Sequence, residues 1–284
     1  MYEIKKKKYL NKQVVWMDIH APLVVKNAKP GQFIILRVNE GGERIPLTIA
    51  RIDKENGLVT IIFQIVGRTT MELSLKNEGD HLEAFTGPLG KATELDGLDR
   101  VCLVAGGVGS AIALSIAQEL AKRGVNLTTI LGFRNQDLVI LEDEFKAYSN
   151  ELIITTDDGS YGKKGNVVER LKEQFENREF DKVITIGPII MMKYVSLACQ
   201  ENNTPVISSL NPIMIDGTGM CGGCRVSIIE DGKKVMRFAC VDGPDFDGAK
   251  VDYDELMKRN QMYIKKERED YNHLCNLLKE GEER

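Results

Sequence analysis

From Arg100 onward the chain alternates unbroken apolar runs with amphipathic ones: a strand over 100–105, a glycine turn, a helix over 110–123 and a strand over 126–133. The alternation continues through strands at 151–155, 182–186 and 205–209 and helices at 167–175 and 190–200. Strands separated by helices lie parallel, with the crossovers covering both faces of the sheet. Residues 99–210 are therefore predicted to form an α/β domain built on a parallel sheet.

Residues 1–98 follow another rule. Short β-rich runs at 13–19, 32–38, 46–52 and 58–66 are broken by Pro30-Gly31, by 39–42 and by Asn56-Gly57, with one helix near 69–76. That pattern predicts a small antiparallel β-barrel or sandwich. Residues 211–252 hold a glycine and cysteine cluster and a hairpin-like pair, 225–230 and 234–238, joined by Asp231-Gly232. So small a segment cannot bury a core of its own, and a metal centre would supply the missing stability. Residues 253–284 read as a charged helical tail with apolar positions at Leu256, Met257, Met262, Ile264, Leu274 and Leu277, open either to a partner or to packing on its own protein. At 284 residues, two domains, a module and a tail fit the length.

The chain is 43% hydrophobic and 28% charged with a formal charge of -4, the balance of a globular protein without a nucleic-acid partner. The lysine run at 5–8 reads as a solvated strand edge. There is no charged and then apolar leader, and the apolar stretches fall short of the roughly 20 residues of a bilayer span, so no membrane association and a cytoplasmic location are expected. In such a compartment closely spaced cysteines point to metal or redox chemistry rather than to a disulfide scaffold.

Cys221 and Cys224 form a C-x2-C pair, and Cys240 follows beyond the hairpin. Three thiolates at one point need a fourth ligand. Asp216 stands four intervening residues before Cys221, where a plant-type [2Fe-2S] loop has its first thiolate. Gly217, Gly219, Gly222 and Gly223 suit a loop that must turn backbone N–H groups toward sulfur. A structural zinc on the same residues, or unligated surface cysteines, are the alternatives. Cys102, Cys199 and Cys275 read as core or incidental residues.

The first strand of the α/β domain runs into Gly106-Gly107-Val108-Gly109-Ser110 and then a helix, a turn that lets phosphate approach free N–H groups. It is not a complete G-x-G-x-x-G, since Ile112 falls at the third glycine, and a tight connection without a ligand is the plain alternative. Two further strand ends, Asp157-Asp158-Gly159 and Gly187-Pro188, would border the same crevice. In the first domain, Arg44-Ile45-Pro46-Leu47-Thr48 opens a strand, Val66-Gly67-Arg68-Thr69-Thr70 opens the helix and Gly87-Pro88 closes the barrel; taken singly these are a surface charge and a helix cap.

In that order, the Arg-x-Pro-Leu-Thr strand, the Gly-Arg-x-Thr helix start, the Ala-Gly-Gly-Val-Gly turn, the late Gly-Pro and the cysteine loop resemble the ferredoxin-NADP reductase superfamily up to about residue 252. Within it the chain is similar to dihydroorotate dehydrogenase electron-transfer subunits. It resembles more closely the small subunits of NADH-dependent reduced ferredoxin:NADP oxidoreductases, also described as sulfide dehydrogenase small subunits. Asp216 in place of a cysteine, together with Gly243-Pro244-Asp245-Phe246-Asp247-Gly248, favours the second group.

The resemblance implies FAD on the barrel, with Arg44 or Arg68 and Thr70 near its pyrophosphate and Leu47 and Thr48 beside the isoalloxazine; Pro46, Val66, Gly67, Thr69 and Gly87 complete that set. Two departures stand out: Leu47 replaces an aromatic stacking residue, and Arg44 lies one place further from it than usual. NAD(H) is implied at Gly106, Gly107, Val108, Gly109, Asp157, Asp158, Gly159, Gly187 and Pro188, and a [2Fe-2S] cluster on Asp216, Cys221, Cys224 and Cys240. Thr48, near flavin N5, is the one side chain implied at the reacting atoms. The implied activity is hydride exchange between NAD(H) and FAD, with single electrons passing to a larger flavoprotein that carries [4Fe-4S] clusters and deals with NADP(H) and ferredoxin. A dihydroorotate dehydrogenase subunit and a zinc-stabilised nucleotide-binding regulatory module are the competing readings.

Overall fold

The protein, a computed structural model, is described over residues 2–282; the side chains at 274, 275 and 277–282 lie outside the described residues, so the expectations for Leu274, Cys275 and Leu277 do too. The first domain comprises β1 (Tyr2–Tyr9), β2 (Val14–His20), α1 (Pro22–Asn27), β3 (Phe33–Arg37), β4 (Arg44–Thr48), β5 (Arg51–Asp53), β6 (Leu58–Gln64), α2 (Arg68–Leu75), β7 (His81–Leu82) and β8 (Ala84–Leu89). Two antiparallel sheets, β5-β6-β2-β1-β7 and β4-β3-β8, close around a core that includes Ile4, Met17, Ile34, Leu36, Phe63 and Phe85. The run expected as one strand over 46–52 is two, because the chain passes from one sheet to the other after Thr48. The lysines at 5–8 lie on β1 beyond its short pairing with β7, which reaches only Tyr2 and Glu3, so they do line a sheet edge.

The second domain comprises β9 (Arg100–Gly106), α3 (Gly109–Lys122), β10 (Asn126–Phe133), α4 (Glu142–Tyr148), β11 (Glu151–Thr156), β12 (Lys163–Lys164), α5 (Val167–Phe175), β13 (Lys182–Ile186), α6 (Ile189–Glu201) and β14 (Val206–Ser209). Its strands are parallel, in the order β12-β11-β10-β9-β13-β14. Along β9, Val101, Leu103 and Ala105 join the core beneath α3 and α4, whereas Cys102 and Val104 join the core beneath α5 and α6. Burial on both faces is why this strand reads as an unbroken apolar run. The α3 core also takes in Val14, Trp16 and Ile62 from the barrel, which fixes the two domains together.

The remaining elements are β15 (Arg225–Glu230), β16 (Lys233–Phe238), α7 (Ala239–Asp242), β17 (Asp245–Asp247), α8 (Tyr253–Asn260) and α9 (Ile264–Glu282). The hairpin turns on Asp231 and Gly232, both left-handed with φ of 50° and 73°. The segment 211–252 is joined to the second domain: β17 pairs antiparallel with β14 and extends the parallel sheet to seven strands. The tail also packs on its own protein at first, since Tyr253 and Leu256 of α8 are buried and the Tyr253 hydroxyl lies 2.8 Å from Ser196 Oγ and 2.7 Å from Ser208 Oγ. Among the described residues no helix is long and apolar enough to cross a membrane.

Candidate cofactor sites

The nucleotide crevice follows from strand order. From β9 the chain builds outward through β10, β11 and β12, then returns to place β13 on the opposite side of β9. Such a reversal leaves a gap at the carboxyl ends of the two central strands, where open α/β sheets bind ligands. The two expected turns meet in that gap. A side chain at Gly109 would sit 2.5 Å from Ile186 O and 2.9 Å from Gly187 Cα, and one at Gly187 would sit 3.1 Å from Gly106 N. Gly107 takes φ +55° with nothing within 4 Å of a Cβ position, which leaves its backbone open for a phosphate to approach. Asp157 and Asp158 lie on the adjoining edge. Asp158 is partly engaged in its own turn, accepting from Ser160 N at 2.9 Å and Ser160 Oγ at 2.7 Å, and the Ser160 hydroxyl holds its carboxyl below the usual range.

The flavin candidates divide between two walls. Register pairs Thr48 with Phe33, Pro46 with Ile35 and Arg44 with Arg37, so these six share one face of the β4-β3-β8 sheet. Leu47 and Ile45 pair with Ile34 and Leu36 and pack, partly buried, against the barrel core, Ile45 also reaching the cavity at the start of α2; Arg44, Pro46 and Thr48 lie on the opposite face. Val66, Gly67, Arg68, Thr69 and Thr70 line a cavity of about 570 Å³ at the start of α2, a size that suits part of a dinucleotide. Thr70 Oγ1 accepts from Val66 N and Gly67 N at 3.0 Å each. The cavity is acidic on its other sides, with Glu40, Glu43, Glu72 and, from α9, Glu267 and Asp270; Arg68 Nε pairs with Glu72 at 2.9 Å.

The thiol loop lies against the outward face of β3. A side chain at Gly217 would meet Leu89 Cδ1 at 2.7 Å and Ile35 Cδ1 at 2.8 Å, so only glycine, at φ +77°, lets the loop come this close to the barrel. Of the four expected ligands the structure gathers two: Cys224 and Cys240 are buried, their sulfurs 3.1 Å apart. Cys221 is exposed at the loop rim, its Sγ accepting from Gly223 N at 3.4 Å. Asp216 turns into the loop, its carboxylate accepting from Thr218 N at 2.6 Å and Cys221 N at 2.9 Å; these N–H groups hold it below the usual carboxylate range. Among the described residues no set of three such donors is already closed around one point. The donor chemistry nevertheless suits an iron-sulfur centre: three thiols outside any disulfide and one anionic oxygen, on a loop where Gly217, Gly219 and Gly222 are left-handed. Burial pushes the Cys240 thiol up to about 12, and a bound metal would favour its thiolate form. Cys102 and Cys199 are core residues, as expected, and burial pushes Cys199 up to about 12.

One apolar cluster joins the three sites. It contains Phe33 and Ile35 of the barrel, Met192 of α6, Leu210 at the end of the sheet, and Cys224 and Cys240. Sequence reasoning did not identify two side-chain hydrogen bonds, the first beside this junction and the second within the α/β domain. Thr93 donates to Asp245 at 2.6 Å, and Tyr161 donates to Glu142 at 2.8 Å. Both are long-range contacts between residues with no motif in common; the Gly-Pro-Asp sequence was the one visible signal for the first.

A barrel, a switch-point crevice and a thiol loop around one core suit an oxidoreductase that passes electrons between a pyridine nucleotide and an iron-sulfur centre. An oxidoreductase NAD-binding domain model matches residues 103–197, and the iron-sulfur cluster binding domain of dihydroorotate dehydrogenase B matches residues 211–252. The dihydroorotate dehydrogenase B electron transfer subunit homolog of Thermotoga maritima is 47% identical over 99% of this chain and 98% of its own. The dihydroorotate dehydrogenase B (NAD(+)) electron transfer subunit of Desulforamulus reducens is 34% identical over 81% of this chain and 89% of its own. A chain of the NADH-dependent reduced ferredoxin-NADP oxidoreductase, solved for insight into flavin-based electron bifurcation, superposes with a TM-score of 0.90 at 46% identity, over 97% of this chain and 98% of that one. The chain belongs to the family of dihydroorotate dehydrogenase B electron-transfer subunits and their homologues, within the ferredoxin-reductase fold. It is an electron-transfer subunit whose cofactors are FAD, a [2Fe-2S] cluster and NAD(H), and it works with a larger partner subunit.

Proposed function

We propose that this chain is the NAD(H)-side electron-transfer subunit of a cytoplasmic, electron-bifurcating NADH-dependent ferredoxin:NADP oxidoreductase. The observation that carries the reading is the core shared by β3, α6 and the buried cysteines, which supports a flavin on the barrel lying close to the thiol loop. Two others support it: Asp216 at a position that a cysteine usually fills in dihydroorotate-type subunits, and the end-to-end likeness to the bifurcating oxidoreductase chain.

In this reading Gly106 to Gly109, Gly187 and Pro188 seat the nucleotide, with Asp157, Asp158 and Gly159 on the adjoining edge. Arg44 or Arg68, with Val66, Gly67, Thr69 and Thr70, would hold the flavin pyrophosphate, while Pro46, Leu47, Thr48 and Gly87 would border the ring. Thr48 would at most offer a hydrogen bond near flavin N5. Asp216, Cys221, Cys224 and Cys240 hold the cluster. FAD, when bound, takes two electrons as hydride and releases them singly, which is the conversion a one-electron centre requires. No side chain acts as acid or base in the hydride step; the protein aligns the groups and shields them.

The partner in this reading is a larger subunit with its own FAD and [4Fe-4S] clusters that handles NADP(H) and ferredoxin. A dihydroorotate dehydrogenase partner is the second reading, favoured by the matched cluster domain and the relatives' names. Purification of the tagged chain from its native cells without oxygen, followed by activity assays of the complex, separates them. NADPH-driven ferredoxin reduction that depends on NAD supports the first; dihydroorotate-driven NAD reduction overturns it in favour of the second.

A further inference from the structure

The sequence Gly243-Pro244-Asp245-Phe246-Asp247-Gly248 takes no part in the chemistry above, yet it lies where the barrel, the sheet and the thiol loop converge. Asp245 pairs with Ser209 at the end of β14, and its Oδ2 accepts the 2.6 Å hydrogen bond from the Thr93 hydroxyl. Its Oδ1 is buried without a partner. Lys91 and Glu94 from the connection after β8, Lys182 from β13 and Asp247 from β17 line the groove beside it, and among the described residues none forms an ion pair with it.

Burying a carboxyl group without a cation is costly, so stability alone does not account for it. What the pair supplies is a fixed geometry. Among the described residues, Thr93 to Asp245 is the one side-chain hydrogen bond that joins residues 1–98 to residues 211–252. Thr93 is itself anchored, its N–H donating to Pro30 O at 3.0 Å and its side chain pressed against Gly31, which has no room for a Cβ. On the other side, Lys91 N donates to Gly243 O at 2.6 Å and Leu210 N to Pro244 O at 2.9 Å, in the segment that directly follows Cys240 and α7.

We infer that Thr93 and Asp245 are positioning residues for electron transfer, setting the separation between the flavin barrel and the segment that carries Cys240 to the cluster. The inference rests on the reading above, in which both cofactors belong to this chain. Electron tunnelling weakens steeply with distance, so a junction held by packing and the Lys91–Gly243 backbone bond would leave the rate exposed to small slippages; a second, short side-chain pair tolerates far less.

The test uses the holoprotein mixed rapidly with NADH without oxygen, with flavin bleaching and cluster reduction followed separately. Thr93→Val and Asp245→Ala are expected to slow cluster reduction roughly ten-fold while flavin bleaching keeps its wild-type rate. Asp245→Asn, whose amide oxygen accepts the same bond, is expected to restore most of the rate. Should Asp245→Ala fail to fold, Thr93→Val carries the comparison. Wild-type cluster reduction in Thr93→Val, whatever its melting temperature, overturns the inference alone. Wild-type protein that holds no flavin or cluster, or whose flavin NADH cannot bleach, overturns the parent reading and the inference with it.

Discussion

Cys224 and Cys240 bring their sulfurs to 3.1 Å inside the shared core, although 16 positions separate them in sequence. Cys221, only three residues from Cys224, stays exposed. The ligand loop thus has a buried half and an accessible half. In cluster-free protein Cys221 is expected to alkylate first, whereas Cys240, buried and pushed up to about 12, resists at mildly alkaline pH. Peptide mapping after timed iodoacetamide treatment checks the order, and equal labelling of all three would contradict it.

The two glycines of the nucleotide turn have different duties. Gly109 is packed against Ile186 O, so Gly109→Ala should cost about 1–3 kcal/mol of stability and weaken NADH binding together. Gly107 has open space but a left-handed backbone, so Gly107→Ala should cost about 1–2 kcal/mol of strain and reduce NADH affinity chiefly by crowding the phosphate approach. Denaturant unfolding beside NADH titration separates the pair.

Asp216 organises its loop through two backbone N–H groups, and in the proposed reading it would also offer an oxygen to the cluster. Asp216→Ala removes the acceptor for Thr218 N and Cys221 N and is expected to lower iron and sulfide content per chain. Asp216→Cys should retain the cluster with altered EPR g-values and a shifted potential. An unchanged EPR spectrum in Asp216→Cys would remove the aspartate from the ligand set.

Two aspartates should move stability in opposite directions with pH. Burial raises the Asp245 carboxyl above its unfolded value of about 3.9, so the native state holds that proton more tightly. Its contribution is full below the unfolded value and is lost as pH rises through the folded one. N–H groups of Arg100 and Asp99, at 2.7 and 2.8 Å, lower Asp181 instead, so its contribution is present above about 3.9 and lost as pH falls through the folded value. Urea unfolding from about pH 4 to pH 8 should show Asp245→Asn gaining on wild type as pH rises. Asp181→Asn should show a steady deficit against wild type above about pH 4 and lose that deficit as pH falls below it.

Much of this architecture was legible because it follows from periodicity. The continuous apolar run of β9 announced a strand buried on both faces, and β10 and β13 begin and end where composition changes. The Asp231-Gly232 turn was readable because only such residues sit comfortably in two successive left-handed conformations. What remained hidden is non-local. Nothing in the short run around Asp245 says that it will add a strand to a sheet begun at Arg100, or meet Thr93 from 152 positions away. Nor does period-2 alternation tell which face of β4 packs on the barrel core; that came from its pairing with β3. The acidic contribution of Glu267 and Asp270 to the cavity at Arg68 depends on where α9 docks, which its charged sequence left open.

The central claim is that one chain couples a pyridine nucleotide to a flavin and an iron-sulfur cluster. Its most direct test is a titration of the oxygen-free purified protein with NADH, followed by visible and EPR spectroscopy alongside iron, sulfide, zinc and flavin analysis. We expect about one FAD and two iron per chain, flavin absorbance bleached by NADH and a reduced [2Fe-2S] signal appearing with it. A colourless protein containing zinc and no flavin would contradict the account.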